Sequence, residues 1–502
     1  MFPTIVKQKP QPSFWISEQQ LTSCPYSLSA SLYLTLKHLS ASDLSVQATL
    51  LVTACQDEIK TKLSTNKLIQ KMTSEEKAQE AVDALYHYKD HYLEINGIEK
   101  GHQKNEDVKK KMQSTLEYLE NLNDEITNRA VYFMLKGKIL NVLPSYDPNA
   151  EEALSKAVKL DPKLVGAWNQ LGECYWKSGN INSSINSFSG ALNHSKNKVS
   201  LRNLSMVLRQ MPGTQAQRLK MVEESIEKAK EAVQLDVNDG ISWMIMANAH
   251  LSIFFASGVQ NPESLTQCMK AYKQAEKDPV ARTNPDLHYN RAMAFKYQEE
   301  YQLALEGFSA AAQMDPSWPE PRTKQGELMS FLRKTRELTE TKGKLKGKKL
   351  SGMIEKLKEA DLGPYSGGSY TSPKGKVITL NKCPFSELVP GKVNHQKVVL
   401  GRVVCSVSWE DPVPFTFCMV DEEGTCIAVN VYNIAQGAGV KMWDSVALPE
   451  PYLQEIKVNH KGLTLDYTSI RVDTPVVLVV NGRKLGLDKQ APTMLVNRVC
   501  DA

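Results

Sequence analysis

The chain has 502 residues, of which 41% are hydrophobic and 23% charged, the ordinary composition of globular domains. This composition excludes a wholly disordered chain, a collagen-like chain and a disulfide scaffold, and the length predicts about two to four domains. The 61 basic and 56 acidic residues leave a net charge of +5, which permits a local basic patch but excludes a chain that is basic throughout.

Cysteine usage and hydropathy narrow the class of protein further. The nine cysteines are scattered without a Cys-x-x-Cys pair, so we expect neither a disulfide framework nor a zinc ribbon. A reducing compartment, the cytoplasm or the nucleus, is therefore expected. No run approaches the roughly 18 apolar residues that span a bilayer, so we predict no membrane-spanning segment.

The first 71 residues differ in composition from everything that follows. They contain neither arginine nor glycine, and they lack the compact basic start and single apolar stretch of a secretory signal. At Met72 the sequence becomes charged and helical. We expect residues 1–71 to be a variable extension or an artefact of the gene model, with a targeting tail as the alternative. Residues 72–127 are predicted to form amphipathic helices.

A repeat with a period of about 34 residues comes next, which is the period of tetratricopeptide repeats. One copy has the required residue types at Trp168, Leu171, Gly172, Tyr175, Phe188 and Ala191. Gly172 is small enough to let two helices approach, while the large residues fill the space between them. A second copy, in better register still, spans 285–316, and further copies recur at 130–162, 199–236 and 243–275.

One repeat cannot bury its own apolar face, so stacking of repeats must supply the core. We therefore predict a tetratricopeptide superhelix over residues 128–330, and the alternative is an irregular helical bundle. Residues 331–361 are predicted to form capping helices that include a basic segment. Residues 362–375 are rich in glycine, serine and proline, which is typical of a linker.

From residue 376 to 490 the hydrophobic period changes to two, which predicts strands. They are expected at 398–409, 414–421, 426–433, 445–450 and 475–482. A long first strand with a bend at Gly401, a hairpin and two later strands match the layout of the oligonucleotide/oligosaccharide-binding (OB) barrel. The predicted fold class is mostly α, a tetratricopeptide superhelix followed by an OB-like β-barrel, with a tail at 491–502.

The barrel could bind single-stranded nucleic acid, which requires exposed aromatic residues in a positive groove. Phe415 and Phe417 share one strand face, but the same spacing describes core packing. Nearby turns carry acids that would repel phosphates, namely Glu410, Asp411, Asp421, Glu422 and Glu423. Protein contact or scaffolding is therefore favoured.

Catalytic signatures such as HExxH, GxSxG and GxGxxG are absent from the sequence. His87 and His91 have metal-ligand spacing on a predicted helix, with Asp83 one turn earlier. A solvated polar face explains these three residues equally well. We therefore predict a protein that is not an enzyme and has no cofactor or metal, which leaves an interaction protein.

Seven segments together closely resemble the tetratricopeptide repeat protein five family, also described as stress-responsive activators of a histone acetyltransferase co-activator. The segments are EALSKAVKLDP (152–162), AWNQLGECYW (167–176), NKVSLRNLSMVLRQ (197–210), TNPDLHYNRA (283–292), LALEGFSAAAQMDPSWPEPR (303–322), PFTFCMVD (414–421) and VNVYNI (429–434). The resemblance covers about residues 72–490 and excludes residues 1–71. It is specific because tetratricopeptide and OB domains rarely share a chain.

The resemblance implies a non-enzymatic adapter of the cytoplasm and nucleus. In tubulin autoregulation the family recognises the N-terminal peptide of nascent α/β-tubulin (Met-Arg-Glu-Ile/Cys) at the ribosome. It then helps to recruit an mRNA-decay adapter and a deadenylase complex, so that tubulin mRNA is degraded when soluble tubulin is abundant. In the nucleus it implies a scaffold for a histone acetyltransferase co-activator and an actin-nucleating co-factor in the response to stress and DNA damage.

The resemblance also implies the peptide-binding residues, because Arg209, Asp286 and Glu320 match those of the family. In tetratricopeptide arrays the first helix of each hairpin lines the concave groove, where Arg209, Asp286 and the neighbouring Asn290 are expected. Arg209 could pair with the glutamate of the peptide, while Asp286 and Glu320 hold its arginine. Alternatively, the two acids only favour the dipole of the helices that they begin, and Arg209 is a solvated helix residue.

The segment 341–350, here called the lysine segment, has five lysines and no acid. Lys346, Lys348 and Lys349 resemble family positions that contact ribosomal RNA beside the exit tunnel. Such a cluster can contact phosphates without reading sequence, although a charge run is often only solvated surface. Lys177 and Arg202 could add positive charge.

Three other functions remain open at this point. A nuclear transcription scaffold would use the same surfaces without the ribosome, and a single-strand nucleic-acid binder would use the barrel. A clamp for chaperone tails would need lysines and asparagines around a terminal carboxylate, and the acids of the predicted groove argue against it.

Overall fold

The computed structural model describes residues 72–257, 262–371, 375, 377–411 and 413–491. The expectation for residues 1–71, and that for the tail beyond Ala491, lie outside the described residues. In the part of the chain that is described, no helix has both the length and the apolar character needed to cross a membrane.

The described chain begins with a group of helices, here called the N-terminal helices. They are α1 (Ser74–Asp90), α2 (Tyr92–Asn96), a 3-10 helix (Ile98–Gln103) and α3 (Lys104–Asn121). The buried residues of α1, Ala78, Val82 and Leu85, recur at intervals of four and three, which places them on one helix face. That face packs against α3 and the first repeat in one hydrophobic core.

Five helical hairpins follow and confirm the predicted tetratricopeptide superhelix. They are α4 (Arg129–Leu140) with α5 (Pro148–Leu160), α6 (Val165–Lys177) with α7 (Ile181–His194), α8 (Lys198–Leu208) with α9 (Gln215–Leu235), α10 (Gly240–Ala256) with α11 (Pro262–Ala275), and α13 (Pro285–Tyr297) with α14 (Tyr301–Met314). The short helix α12 (Pro279–Arg282) connects the last two hairpins. Most of these helices begin at a side-chain oxygen that accepts a first-turn N–H, as at Asn128, Asp147, Asn180, Asn197, Thr214, Asp239 and Asn284.

Gly172 shows why the repeat requires a residue without a side chain. A Cβ atom at this position would lie 2.7 Å from Cε1 of Phe188 on the partner helix. Phe188 is fully buried, so its ring occupies the space that a methyl group would need. The close approach expected from the sequence is therefore present.

The superhelix makes a contact between its two ends, here called the closing contact. Met314 at the end of α14 is buried in the hydrophobic core of the N-terminal helices. Gly101 lies so close to it that a Cβ atom would be 2.7 Å from the Met314 carbonyl oxygen. Arg282 and Glu94 add an ion pair at 3.4 Å.

The capping region is one long helix followed by a short one. Helix α15 (Glu320–Glu340) runs without a break through the expected domain boundary at 330/331. The boundary is wrong because Leu328, Phe331 and Leu332 continue one apolar helix face across it. A 3-10 turn (Lys342–Lys344) and helix α16 (Gly347–Ile354) follow.

The segment expected to be a linker, 362–375, is partly packed structure. It overlaps a 3-10 helix (Glu359–Tyr365) whose Leu362 and Tyr365 are each only 2% exposed. Strand β1 (Ser369–Thr371) then pairs antiparallel with β2 (Val377–Thr379). Two apolar side chains among the glycines and serines were enough to anchor the segment on the barrel.

The C-terminal part is a barrel of ten strands that confirms the predicted OB-like fold. They are β3 (Asn381–Lys382), β4 (Lys392–Val393), β5 (Lys397–Val407), β6 (Phe415–Val420), β7 (Cys426–Val431), β8 (Ser445–Pro449), β9 (Tyr452–His460), β10 (Leu463–Val472), β11 (Val479–Val480) and β12 (Arg483–Lys484). Strand order is β5-β6-β7-β10-β9, with β7 and β10 parallel and β8 on the other side of β5. Because only Glu450 and Pro451 separate β8 from β9, the two act as one bent strand that closes the barrel.

Four of the five expected strands are present, and the fifth is wrong. Residues 475–482 form a 3-10 helix (Pro475–Val477) and the two-residue strand β11. The missing strands are the hairpin of β9 and β10, joined at Lys461 and Gly462, both with positive φ. The apolar run is buried because Leu478 joins the barrel core and Val479 packs with Leu362 and Tyr365.

The superhelix and the barrel share one hydrophobic core. Phe331 of α15 stacks on Trp409 with ring centroids 4.2 Å apart, and the same cluster includes residues of β6, β9 and β10. Beside it, the buried Glu299 carboxylate lies 3.6 Å from Arg471 of β10, and burial raises the pKa of Glu299. The two parts therefore form one packed unit.

Candidate functional site

The candidate peptide groove is built on the first helices of successive repeats. Helix α8 packs on α10, and α10 packs on α13, so residues on these helices lie near one another although they are distant in sequence. Arg209 ends α8 and is half-buried. Its Nη1 donates to the Ser205 carbonyl and hydroxyl oxygens at 3.1 Å, which holds one edge of the guanidinium group against α8.

The two predicted acids lie where helices begin. Asp286 is half-buried in the first turn of α13, and its backbone N–H donates to Oδ1 of Asn284 at 3.0 Å. Glu320 is the exposed first residue of α15, directly after Pro319. The unpaired N–H groups of a helix start favour an acidic residue there, which is a structural reason for an acid at both positions.

Asn290 corrects the predicted set of peptide-binding residues. It is 0% exposed, so a peptide in the groove cannot reach it in this structure. Its Nδ2 donates to Oδ1 of Asn248 at 3.4 Å, and the same oxygen accepts from the Tyr272 hydroxyl at 2.6 Å. Asn290 therefore links α13 to α10 beneath the groove.

Other polar side chains of α13, the helix that begins beside Asp286, have well-defined partners. The bidentate ion pair between Arg291 and Glu276 has distances of 2.6 and 2.9 Å, and this hydrogen bonding lowers the pKa of Glu276. His288 is buried against the Arg282 carbonyl oxygen at 2.8 Å. Burial lowers its pKa, so the imidazole is neutral near pH 7 and adds no positive charge beside Asp286.

Lys177 and Arg202 do not extend the positive surface. The Lys177 side chain is only 6% exposed, pairs with Glu173 at 3.0 Å and donates to the Asn141 carbonyl oxygen. Arg202 pairs with Asp239 at 2.9 Å across α8 and α10. Both cations are therefore used to join neighbouring helices.

The lysine segment lies on the outer surface of the barrel. Gly343 has a φ of +68° and approaches β5 so closely that a Cβ atom would be 3.1 Å from the Val404 carbonyl oxygen. The three predicted contact residues, Lys346, Lys348 and Lys349, are all exposed. Lys344 pairs with Glu337 at 2.7 Å, so the positive charge is concentrated on the later residues.

The sequence analysis missed the neighbour of the lysine segment, the exposed turn at 441–443. Nζ of Lys349 lies 3.9 Å from Sδ of Met442 and 6.0 Å from the ring centroid of Trp443. The available signal was a methionine and a tryptophan between the charged residues Lys441 and Asp444. Its exposure, however, depends on tertiary packing, which periodicity does not report.

The histidine pair considered for a metal has other contacts. Rings of His87 and His91 stack at 4.3 Å, and His91 Nδ1 lies 2.6 Å from Glu94. Asp83 pairs with Lys138 at 2.9 Å. Within the described ranges, no group of three or more potential ligands is placed to hold a metal ion.

Comparison with known proteins supports the division into helices and barrel. The sequence model described as "Tetratricopeptide repeat protein 5 OB fold domain" matches residues 379–494. The human tetratricopeptide repeat protein 5 is 50% identical over 425 residues, covering 84% of this chain and 96% of that protein. The mouse protein has the same identity and coverage, and the bovine protein is 49% identical.

Solved structures resemble the helical part at low identity. YrrB, described as a TPR protein with an unusual peptide-binding site, is 17% identical with a TM-score of 0.28 and covers 42% of this chain and 99% of its own. The Cut9–Hcn1 hetero-tetramer of APC/C is 15% identical with a TM-score of 0.37, and the match covers 50% of this chain and 48% of that chain.

Proposed function

This chain belongs to the tetratricopeptide repeat protein 5 family, and we propose that it recognises the N-terminal peptide of nascent tubulin at the ribosome. Its tetratricopeptide and OB domains make it an adapter protein. In this proposal the adapter then recruits an mRNA-decay adapter and a deadenylase complex, which degrade the tubulin mRNA during translation. Its proposed location is the cytoplasm, with a second pool in the nucleus.

The observation that carries the proposal is the charge arrangement of the groove. One cation, Arg209, ends helix α8, and two anions, Asp286 and Glu320, lie at the starts of α13 and of the capping helix α15. A peptide that begins Met-Arg-Glu has the complementary charges on adjacent residues. Its glutamate would pair with Arg209 and its arginine with the two acids, in charge-assisted hydrogen bonds.

The lysine segment supplies the second contact in the proposal. Lys346, Lys348 and Lys349 are exposed, on a segment that contacts strand β5 of the barrel. Lysine ammonium groups contact phosphates of RNA without reading its sequence. The ribosome would therefore hold the adapter by its lysine segment while the groove faces the emerging peptide.

The test is photo-crosslinking of the full chain to ribosomes that display a nascent peptide beginning Met-Arg-Glu-Ile. We expect Asp286→Lys and Lys348→Glu each to reduce crosslinking by at least about tenfold, because reversing one partner of a charge pair is costly. Glu263→Lys is the matched control for Asp286→Lys, since Glu263 is also an acid in a first helical turn. Lys220→Glu, at an exposed lysine of α9, is the control for Lys348→Glu.

A charge-swapped peptide separates recognition from general damage to the groove. When the arginine of the displayed peptide is replaced by glutamate, wild-type crosslinking should fall and crosslinking of Asp286→Lys should rise. Equal crosslinking of all variants would overturn the residue assignments. In that event a nuclear scaffold for the histone acetyltransferase co-activator and the actin-nucleating co-factor becomes the better function.

A further inference from the structure

The turn at 441–443 places a large apolar surface in a strongly basic neighbourhood. Trp443 is 36% exposed and Met442 is 43% exposed, and both follow the exposed Lys441. Facing them are Lys349 of α16 and Lys356 just after it, with Nζ atoms 6.0 and 5.3 Å from the centroid of the Trp443 ring. One exposed indole is therefore flanked by ammonium groups from another segment of the chain.

The backbone of Trp443 is held in an unusual conformation. Its φ is +80°, in the left-handed region where a bulky residue is a true outlier. Such conformations persist only when the surroundings enforce them, and they cluster at functional sites. The Trp443 N–H donates to the Val403 carbonyl oxygen at 3.0 Å, which fixes the turn against β5.

A buried arginine ties the tryptophan turn to the lysines. Arg402 is 8% exposed, and its Nη1 donates to the Trp443 carbonyl oxygen at 2.9 Å. Its Nη2 donates to the Lys356 carbonyl oxygen and lies 3.5 Å from Asp361. The backbone at Trp443 and at Lys356 is thus held by one side chain in the interior.

The nearest acids of the turn are already engaged. Asp444 accepts the Lys441 backbone N–H at 2.7 Å and Nδ2 of Asn481 at 2.8 Å, while Asp361 faces Arg402. Among the exposed charged residues of this neighbourhood, the lysines Lys349, Lys356 and Lys441 outnumber the acid Glu355. This arrangement favours an anionic partner that also has an aromatic or apolar face.

We propose that Trp443, with Lys349 and Lys356, binds an unpaired nucleotide of RNA, with the base stacked on the indole and the flanking phosphates on the ammonium groups. Aromatic side chains stack on bases of any sequence, and basic residues beside them follow the backbone. A base within a duplex has no free face, so the site selects single strands, loops and bulges. This inference rests on the proposed function only for the source of the RNA, an unpaired nucleotide of the ribosome beside the lysine segment.

The site differs from the barrel face considered in the sequence analysis. Phe417 is fully buried and Phe415 packs against the same core, so neither offers a free ring for stacking. The tryptophan turn lies between β7 and β8, next to the lysine segment. A single indole with one exposed methionine also offers less apolar surface than a membrane-binding face normally has.

The test measures binding of the full chain to a labelled 15-nucleotide single-stranded RNA and to a 15-base-pair RNA duplex by fluorescence anisotropy. Trp443→Gly should weaken single-strand binding on the order of tenfold, the usual effect of losing one stacked base, and change duplex binding less than twofold. Trp443→Phe should keep most of the affinity because it retains a ring. Lys348→Glu should weaken binding to both RNAs and reduce its salt dependence.

Glycine is the chosen replacement because it adopts φ of +80° without steric cost, so Trp443→Gly should unfold at the same temperature as the wild type or higher. If Trp443→Gly binds single-stranded RNA like the wild type, or loses both RNAs equally, the proposal is wrong. It is also wrong if Trp443 is needed instead for binding phosphatidylserine vesicles or an acidic peptide. Crosslinking of Asp286→Lys to the nascent chain is measured separately, so failure of the RNA site and failure of peptide recognition are distinguishable.

Discussion

At the scale of single residues, the close packing of α6 on α7 depends on a glycine, which has no side chain. Gly172 leaves room for the ring of Phe188, and a methyl group there would overlap it at 2.7 Å. Gly326 has the opposite surroundings, since it is exposed on α15 and a Cβ atom would meet nothing within 4 Å. These two helical glycines form a matched pair that separates packing from helix propensity.

We predict that Gly172→Ala lowers the free energy of unfolding by about 1–3 kcal/mol, the usual cost of overpacking a core. This loss should exceed the gain of up to about 1 kcal/mol that alanine brings to a helix. Gly326→Ala should show only the gain. Urea unfolding followed by circular dichroism measures both, and stabilisation by Gly172→Ala would contradict the close helix approach.

At the scale of elements, the sequence predicted the helices and strands that have a clear local pattern of apolar residues. The hairpin of α6 and α7 could be predicted because all six repeat residues are in register. The hairpin of β9 and β10 also had a signal, the Lys461-Gly462 turn between alternating strands. It was missed because the run at 475–482 is more apolar and therefore predicted a strand more strongly. A buried apolar segment and a buried strand have the same composition.

The helix positions of the candidate groove residues were predictable to the same extent. Arg209, Asp286 and Glu320 could be placed on the first helices from their positions in the repeat. Asn290 has an equivalent position, but its burial depends on Asn248 in the neighbouring repeat, a contact that no single-repeat pattern contains. Exposure of Trp443 likewise depends on Arg402, which is distant in sequence.

Buried histidines on α10 and α13 make the stability of these elements depend on pH. Burial lowers the pKa of His250 on α10 and of His288 on α13. Lys230 lowers the pKa of His250 further, whereas at His288 the Arg282 carbonyl oxygen raises it, Arg291 lowers it and Glu276 raises it. The unfolded chain therefore takes up protons before the folded chain as the pH falls below the ordinary histidine value of about 6.5.

We predict that the two neutral histidines contribute fully to the free energy of unfolding above about pH 6.5. This contribution should be lost as the pH falls towards the lower pKa values that they have in the folded protein. The slope should approach about 1.4 kcal/mol per pH unit for each histidine. Urea midpoints at pH 7.5 and 5.5 measure the loss. The double variant His250→Leu, His288→Gln should show a smaller difference, and an unchanged difference would show that these two residues are not responsible.

At the scale of the whole molecule, the shared core makes the superhelix and the barrel unfold together. Phe331 is buried between α15 and the barrel and stacks on Trp409. Phe188, equally buried, lies within the repeats. Removing the Phe331 ring therefore tests packing at the boundary between the superhelix and the barrel. Removing the Phe188 ring tests the same chemical loss within the repeats.

We predict that Phe331→Ala and Phe188→Ala each lower the free energy of unfolding by about 3–5 kcal/mol. Only Phe331→Ala should separate the unfolding of the two parts. Circular dichroism at the helix band and hydrogen exchange of the barrel strands report the parts independently. Coincident transitions in Phe331→Ala would mean that other contacts, such as the ion pair of Lys296 and Asp411, are enough to couple them.

The closing contact between Gly101 and Met314 also has a consequence for the time course of synthesis. An open array of repeats can fold from any repeat and grow by its neighbours, but here the N-terminal helices need a residue that is made about 200 positions later. At 5–20 residues per second, the apolar surface that receives Met314 waits roughly 10 to 40 seconds for its partner. This protein must therefore pass through a long interval in which its own unfinished chain exposes a surface that chaperones can bind.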